Sequence, residues 1–326
     1  MFSIRKKYCF FLFVFLIAGF SPVSAQRLSA DEKVSLDQRQ DSLMGYAYDI
    51  VNAREANQRF RSDSFFIRML VRALKTPNSF YYPFDSLQTI SKLYAPDSSF
   101  RIFTWQVKKD EFVYMQRGAI QKRTDDGSLK LIGLHDVSMF TSRPLDSIRT
   151  ADNWIGAIYY RIIEKSFQGK NIYTLLGFDS YNISSNKKWM EVLTFDGNGQ
   201  PVFGGTYFSF KDDSAKAAKR RPVRFNIEYK KEAATTFNYD SSLDMIVFDH
   251  LISESNEPVR KDTYVPDGDY EGFKWQNGQW LHVVKVFTTS LRDGQYPKDL
   301  KILNDAGGID ENKLKEQSEK NRKRKK

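Results

Sequence analysis

Apolar positions at helical spacing open the chain. Val34, Leu43, Met44, Ala47, Ile50 and Val51 recur as one face of a helix requires, and Ser29 followed by Glu32 has the spacing of a capping box, in which each side chain satisfies a free backbone donor of the other residue. A second helix is predicted from about Ser64 to Lys75, carrying Phe65, Phe66, Met69, Leu70, Ala73 and Leu74. It stops before Pro77 because the residue ahead of a proline avoids the helical region. A third, shorter helix is predicted to start near Asp85 and to carry Leu87, Ile90, Leu93 and Tyr94 before Pro96.

From Phe100 the pattern changes to short runs of β-branched and aromatic residues separated by Gly, Asp and Asn. These predict strands near Arg101–Val107, Glu111–Gln121, Ser128–His135, Ile155–Glu164, Asn171–Asp179, Trp189–Phe195 and Pro201–Phe208. Further strands are expected near Val223–Tyr229, Ala234–Tyr239, Leu243–Phe248, Gly272–Trp275 and Gln279–Phe287. Asp125-Asp126-Gly127, Gln168-Gly169, Asp196-Gly197-Asn198-Gly199 and Asn277-Gly278 are turn signals between them. No long helix intervenes, so parallel crossovers are not expected and sequential antiparallel pairing is.

The predicted fold is therefore mainly β (α+β): an N-terminal helical segment, then a large antiparallel β-meander forming a curved sheet or partly closed barrel. The corresponding boundaries are 1–25 for an export segment, 26–97 for the helical region, 98–290 for the β domain and 291–326 for a C-terminal extension. Two polar stretches interrupt the meander. Lys211–Arg221 is charged and Ala-rich, and Ser253–Asp269 is long enough to be expected as the loop rimming a ligand site.

Charge and composition then narrow the setting. Arg5, Lys6 and Lys7, the apolar run Cys9–Phe20 and the small residues up to Ala25 follow the order of a secretory signal, with cleavage expected after Ala25. Removing that segment removes the single cysteine, and with it structural disulfides, thiolate metal sites and cysteine nucleophiles. The formal charge of +10 is concentrated at the two ends. Eight basic residues lie between Lys313 and Lys326, so the body between is nearly neutral and nucleic acid is not an expected partner. A basic tail of this kind is a solvated end or an electrostatic contact to an anionic surface.

The chain carries no phosphate-binding glycine loop, dinucleotide fingerprint, His-Glu-x-x-His or Gly-x-Ser-x-Gly, and no cofactor is expected. Trp275 and Trp280 flank the Asn277-Gly278 turn and are the first candidates for a ligand-stacking surface, with Asp249 and His250 as polar candidates. As strand neighbours, Asp249 and His250 should face opposite ways and so form no relay with each other. Asp267, Asp269 and Glu271 alternate as the opening of an EF-hand loop does, which makes them candidate metal ligands. The twelfth position, however, is Gly278 where a bidentate Glu is needed.

Phe100–Trp105 (FRIFTW), Phe248–Leu251 (FDHL) and Pro266–Phe273 (PDGDYEGF) resemble phrases in exported proteins of the Bacteroidota that have no assigned activity. The resemblance implies a periplasmic or envelope setting and no particular chemistry. The function expected is that of a noncatalytic envelope protein binding a protein partner or a glycan. The alternative is a carbohydrate hydrolase using two carboxylates, which needs only a pair of acids about 5 to 9.5 Å apart across a cleft.

Overall fold

The structure, a computed structural model, describes residues 28–210 and 222–287. The expected export segment, the Lys211–Arg221 stretch and the basic tail lie outside the described residues.

The capping box forms: Ser29 N donates to the Glu32 carboxylate at 2.8 Å and Glu32 N to Ser29 Oγ at 3.2 Å. From it runs α1 (Ala30–Asn52), which buries Leu36, Leu43, Ala47 and Ile50 on one face. The second helix, α2 (Ala56–Leu74), begins two turns earlier than the apolar pattern predicts and ends ahead of Pro77. The third predicted helix is absent. Leu87 and Ile90 pack under the helices from a run of turns, and Ser91–Tyr94 forms a strand whose backbone finds partners on the next one.

In chain order the strands are β1 (Ser91–Tyr94), β2 (Phe100–Lys108), β3 (Tyr114–Lys122), β4 (Lys130–Leu134), β5 (Arg149–Thr150), β6 (Ile158–Phe167), β7 (Lys170–Asp179) and β8 (Ser185–Phe195). There follow β9 (Pro201–Phe203), β10 (Phe208–Ser209), β11 (Phe225–Lys230), β12 (Phe237–Asp240), β13 (Met245–Ser253), β14 (Tyr264–Gln276) and β15 (Gln279–Val283). They make three sheets and no closed barrel. The first is β1-β2-β3-β4, the second β5-β9-β8-β7-β6 with β11 also on β8, and the third β10-β15-β14-β13-β12. Every strand pairing is antiparallel except β10 with β15.

Ser253–Asp269 is a loop only over residues 254–263, because both of its ends are drawn into strands. A bulge between Asp249 and Leu251 lets Leu251, Ile252 and Ser253 pair with Pro266, Val265 and Tyr264, so β13 and β14 continue as one long hairpin. Backbone pairing overrides polarity here, because an outer sheet face can stay wet.

The sheets stack behind the helices, and strand alternation shows how. On β2, Phe103, Trp105 and Val107 join the helical core, while Phe100 and Ile102 face the second sheet. On β7 and β8, Tyr173, Leu175, Trp189 and Leu193 look back at the first sheet, and Ile172, Leu176, Met190 and Val192 look on to the third. The order of layers is thus helices, first sheet, second sheet, third sheet. The two inner sheets are covered on both sides.

A buried charge pair lies between the first and second sheets. Arg224 Nε donates to Glu191 Oε1 at 2.7 Å, Tyr159 Oη donates to Glu191 Oε2 at 2.8 Å, and Trp154 Nε1 donates to Tyr159 Oη at 2.8 Å. The remaining guanidinium donors reach the carbonyls of Pro144, Ser147 and Phe203. A buried pair of this kind repays its desolvation only when further hydrogen bonds serve the remaining groups, and here four guanidinium bonds and both carboxylate oxygens are engaged. Glu191→Ala should destabilise the fold by about 3–5 kcal/mol, because it strands a buried guanidinium. Equilibrium urea denaturation measures this, and a loss below about 1 kcal/mol would show that the pair is dispensable.

Candidate ligand-binding pocket

The rows of side chains between the first and second sheets change character along their length. On β2 the row reads Phe100, Ile102, Thr104, Gln106, and on β3 Ile120, Gly118, Gln116. The facing rows are Tyr173, Leu175, Gly177, Asp179 on β7 and Leu193, Glu191, Trp189, Lys187 on β8. Ladder pairing aligns the polar ends, with Gln106 beside Gln116 and Asp179 beside Lys187. Glycines admit the bulky groups midway: a Cβ on Gly118 would lie 3.1 Å from the Trp154 ring and one on Gly177 2.7 Å from Ala157 Cβ.

At the polar end the layers part around a cavity of about 540 Å³. Its walls are the end of the β2–β3 turn (Phe112, Val113, Tyr114), the segment from Ser138 to Pro144, and the β7–β8 turn with Tyr181, Asn182, Ile183 and Ser184. Phe112, Met139, Tyr181 and Ile183 are exposed apolar groups on this rim. Tyr181 holds a left-handed backbone (φ 43°), unusual for a bulky side chain, and its N–H donates to Asp179 Oδ1 at 2.9 Å. The Lys187 ammonium sits 3.2 Å from the centre of the Tyr181 ring and 3.4 Å from Glu228.

Asp179 is the acid on the pocket lining, and it is 6 % exposed. Its Oδ1 also accepts from Gln116 Nε2 at 2.9 Å. Burial pushes its pKa up to about 6, with the charge of Asp136 adding to the shift and the Tyr181 N–H, Lys187 and the Trp189 indole opposing it. The Trp189 N–H lies near enough to favour the carboxylate, yet no acceptor meets it in hydrogen-bonding geometry, and Gln116 Oε1 is likewise without a partner. Asp136 offers no second open carboxylate, since its oxygens accept the backbone N–H groups of Gln116, Ser138 and Gly156.

The residues singled out from sequence lie elsewhere. Trp280 is wholly buried between the second and third sheets, where its indole donates to Thr174 Oγ1 at 2.8 Å; a stacking role for it is excluded. Trp275 packs edge-on against it, ring centres 5.2 Å apart, as a cross-strand pair. Asp249 is buried and accepts the Thr236 N–H at 2.6 Å, apart from His250. His250 is 2.8 Å from Asp267, Glu271 is 2.5 Å from His282, and Asp269 pairs with Lys285 at 3.1 Å. Asp267 and Glu271 share His250, whose Nε2 lies 3.8 Å from Glu271, while Asp269 turns to Lys285; among the described residues no group of three potential ligands is arranged to hold a metal ion.

Asp179 and Trp189 were missed as site residues, although both fell on predicted strands. The signal was present in the i, i+2 rows that turn from aromatic to polar at one end. No protein-family model matches the chain, and no match emerges among curated proteins or solved structures.

A carboxyl with a raised pKa in the folded state keeps its proton where the unfolded chain has lost it. Stability therefore falls as pH climbs from about 4 to about 6 and levels off above. Asp179→Asn keeps Oδ1 for Gln116 and Tyr181 and removes this cost. It should stabilise the protein by about 3 kcal/mol at neutral pH and by little at pH about 4, measured by urea denaturation at both. Equal effects at the two pH values would refute a strained carboxylate.

Proposed function

We propose that this protein is an exported, noncatalytic binding protein of the cell envelope, and that the Asp179 pocket holds a unit of a glycan. The observation that carries the reading is a buried carboxylate beside the unpartnered N–H of Trp189, at the base of an open cavity. A cavity of about 540 Å³ falls within the range of small-ligand sites. Sugar hydroxyls both donate and accept, so one pair of neighbouring hydroxyls satisfies Asp179 and Trp189 together. The exposed faces of Phe112 and Tyr181 suit the apolar faces of a sugar ring, and Asn182 supplies a further donor and acceptor at the rim.

Export rests on the Arg5–Ala25 segment. Hydrolysis is the weaker reading, because it needs a second acid across the cleft and Asp179 stands without one on the lining.

Titration of the purified chain with neutral oligosaccharides, followed by calorimetry and tryptophan fluorescence, tests the proposal. Saturable binding is expected, weakened about tenfold to a hundredfold by Asp179→Ala and by less in Trp189→Phe, in line with the loss of a charged and a neutral hydrogen bond. Absence of saturation across oligosaccharide classes, or binding indifferent to both substitutions, would sink it. Release of reducing ends during the titration would favour the hydrolase.

A further inference from the structure

We propose that the outer edge of β6 takes up an extended, acidic peptide segment of a partner protein as an added strand. The site is separate from the Asp179 pocket and does not depend on it.

β6 is the last strand of the second sheet: it pairs with β7 on one side, and among the described residues no strand pairs with its other side. Its direction of hydrogen bonding follows from the hairpin. Gln168 and Gly169 both have positive φ (49° and 73°), the two-residue turn that suits a tight hairpin, and Phe167 opposes Lys170 across it. The pair flanking such a turn bonds inward, so alternate residues Ser166, Glu164 and Ile162 turn their N–H and C=O outward. Towards the start of β6 the outward groups are already used: Tyr159 N donates to Thr104 Oγ1, and Ser91 Oγ donates to Tyr159 O. Among the described residues no comparable bond closes the edge from Ile162 to Ser166.

Those residues form the floor of an open groove of about 460 Å³, lined by Arg161 to Ser166 with Pro96 and Tyr239 beside them. Pro96 belongs to the first sheet's β1–β2 turn and Tyr239 to the third sheet, so the exposed edge is recessed between two layers. A single strand fits there. Two copies of this chain would have to bring two recessed edges to within about 4.8 Å, which the flanking layers oppose. Main-chain pairing supplies affinity in such a mode, and side-chain neighbours supply selectivity.

Charge decides the selectivity. Arg161, Ile163 and Lys165 face the third sheet, with Lys165 paired to Asp244 and the Arg161 guanidinium 5.9 Å from the Tyr239 ring centre. Arg161 is exposed and has no carboxylate partner among the described residues. An incoming strand that puts its acidic residues on the face of Arg161 and Lys165, and its apolar ones on the face of Ile162, therefore gains most.

The test uses a labelled peptide of alternating valine and glutamate, with a valine–lysine peptide as control, titrated into the purified chain by fluorescence anisotropy. Amide hydrogen exchange is followed at Ile162, Glu164 and Ser166. The acidic peptide should bind saturably and protect these amides. Arg161→Glu should weaken it about fivefold, the size of one cross-strand charge pair, and narrow its advantage over the lysine peptide. Glu164→Pro removes an outward N–H at a position where an edge strand tolerates proline, so it should abolish binding while near-ultraviolet circular dichroism stays unchanged. Failure of the acidic peptide to bind would overturn the proposal, as would binding that survives Glu164→Pro. Protection that appears without peptide and grows with protein concentration would assign the edge to a second copy instead.

Discussion

Burial of the second sheet on both faces is the constraint from which the rest follows. A sheet wetted on one face can put its polar side chains there, but β7 and β8 have helices and one sheet beyond one face and another sheet against the other. Every polar residue they carry must find its partner inside. Glu191 finds Arg224 and Tyr159, Thr174 finds the indole of Trp280, and each partner comes from outside β7 and β8. These bonds tie sequence-distant segments together and fix which sheet lies on which, where apolar contact alone would tolerate sliding.

Arg101 shows the same constraint solved without a counter-charge. Its guanidinium is fully buried below the helices and donates only to neutral groups: Gln121 Oε1, the Tyr82 and Ser79 carbonyls and the Tyr94 hydroxyl. The Phe84, Phe103, Phe80 and Tyr94 rings lie around it. Desolvation lowers its pKa to about 10, which still leaves it charged at neutral pH. Four hydrogen bonds to oxygens, with aromatic quadrupoles facing the guanidinium, replace what a carboxylate would supply. By this standard Asp179 and Trp189 are exceptions, since one bears a raised pKa and the other an unused donor.

Much of the architecture was legible along the chain. Ser29 and Glu32 announced the first helix, and turns such as Gln168-Gly169 and Asn277-Gly278 divided the strands correctly because they require positive φ, which few residues accept. The split into three sheets was not legible. Strands buried on both faces lose the apolar–polar alternation that assigns a strand to a face, so Phe100–Trp105 gives no hint that it separates two cores. Leu87, Ile90 and Leu93 have helical spacing by accident: two turns place Leu87 and Ile90 under the helices, while the strand turns Leu93 towards the second sheet. Trp280 misled for a related reason: a tryptophan beside a tight turn suggests an exposed tip, but pairing with Phe208 draws it under the second sheet.

The position of the pocket has a cause in the same alternation. If the rows facing the space between the first two sheets stayed apolar to their ends, the layers would close on one another throughout. Instead Gln106, Gln116, Asp179 and Lys187 fall together at one end, and no single strand put them there; register did. Asp179 and Lys187 line the gap with Gln116 buried beside Asp179, the segment from Ser138 to Pro144 and the β7–β8 turn fold around it, and Tyr181 accepts an unfavourable φ to lend its N–H to Asp179. A core that merely needed stability would have continued the row with leucine or valine. That four strands agree in not doing so is what supports the proposal of a ligand at this end of the stack.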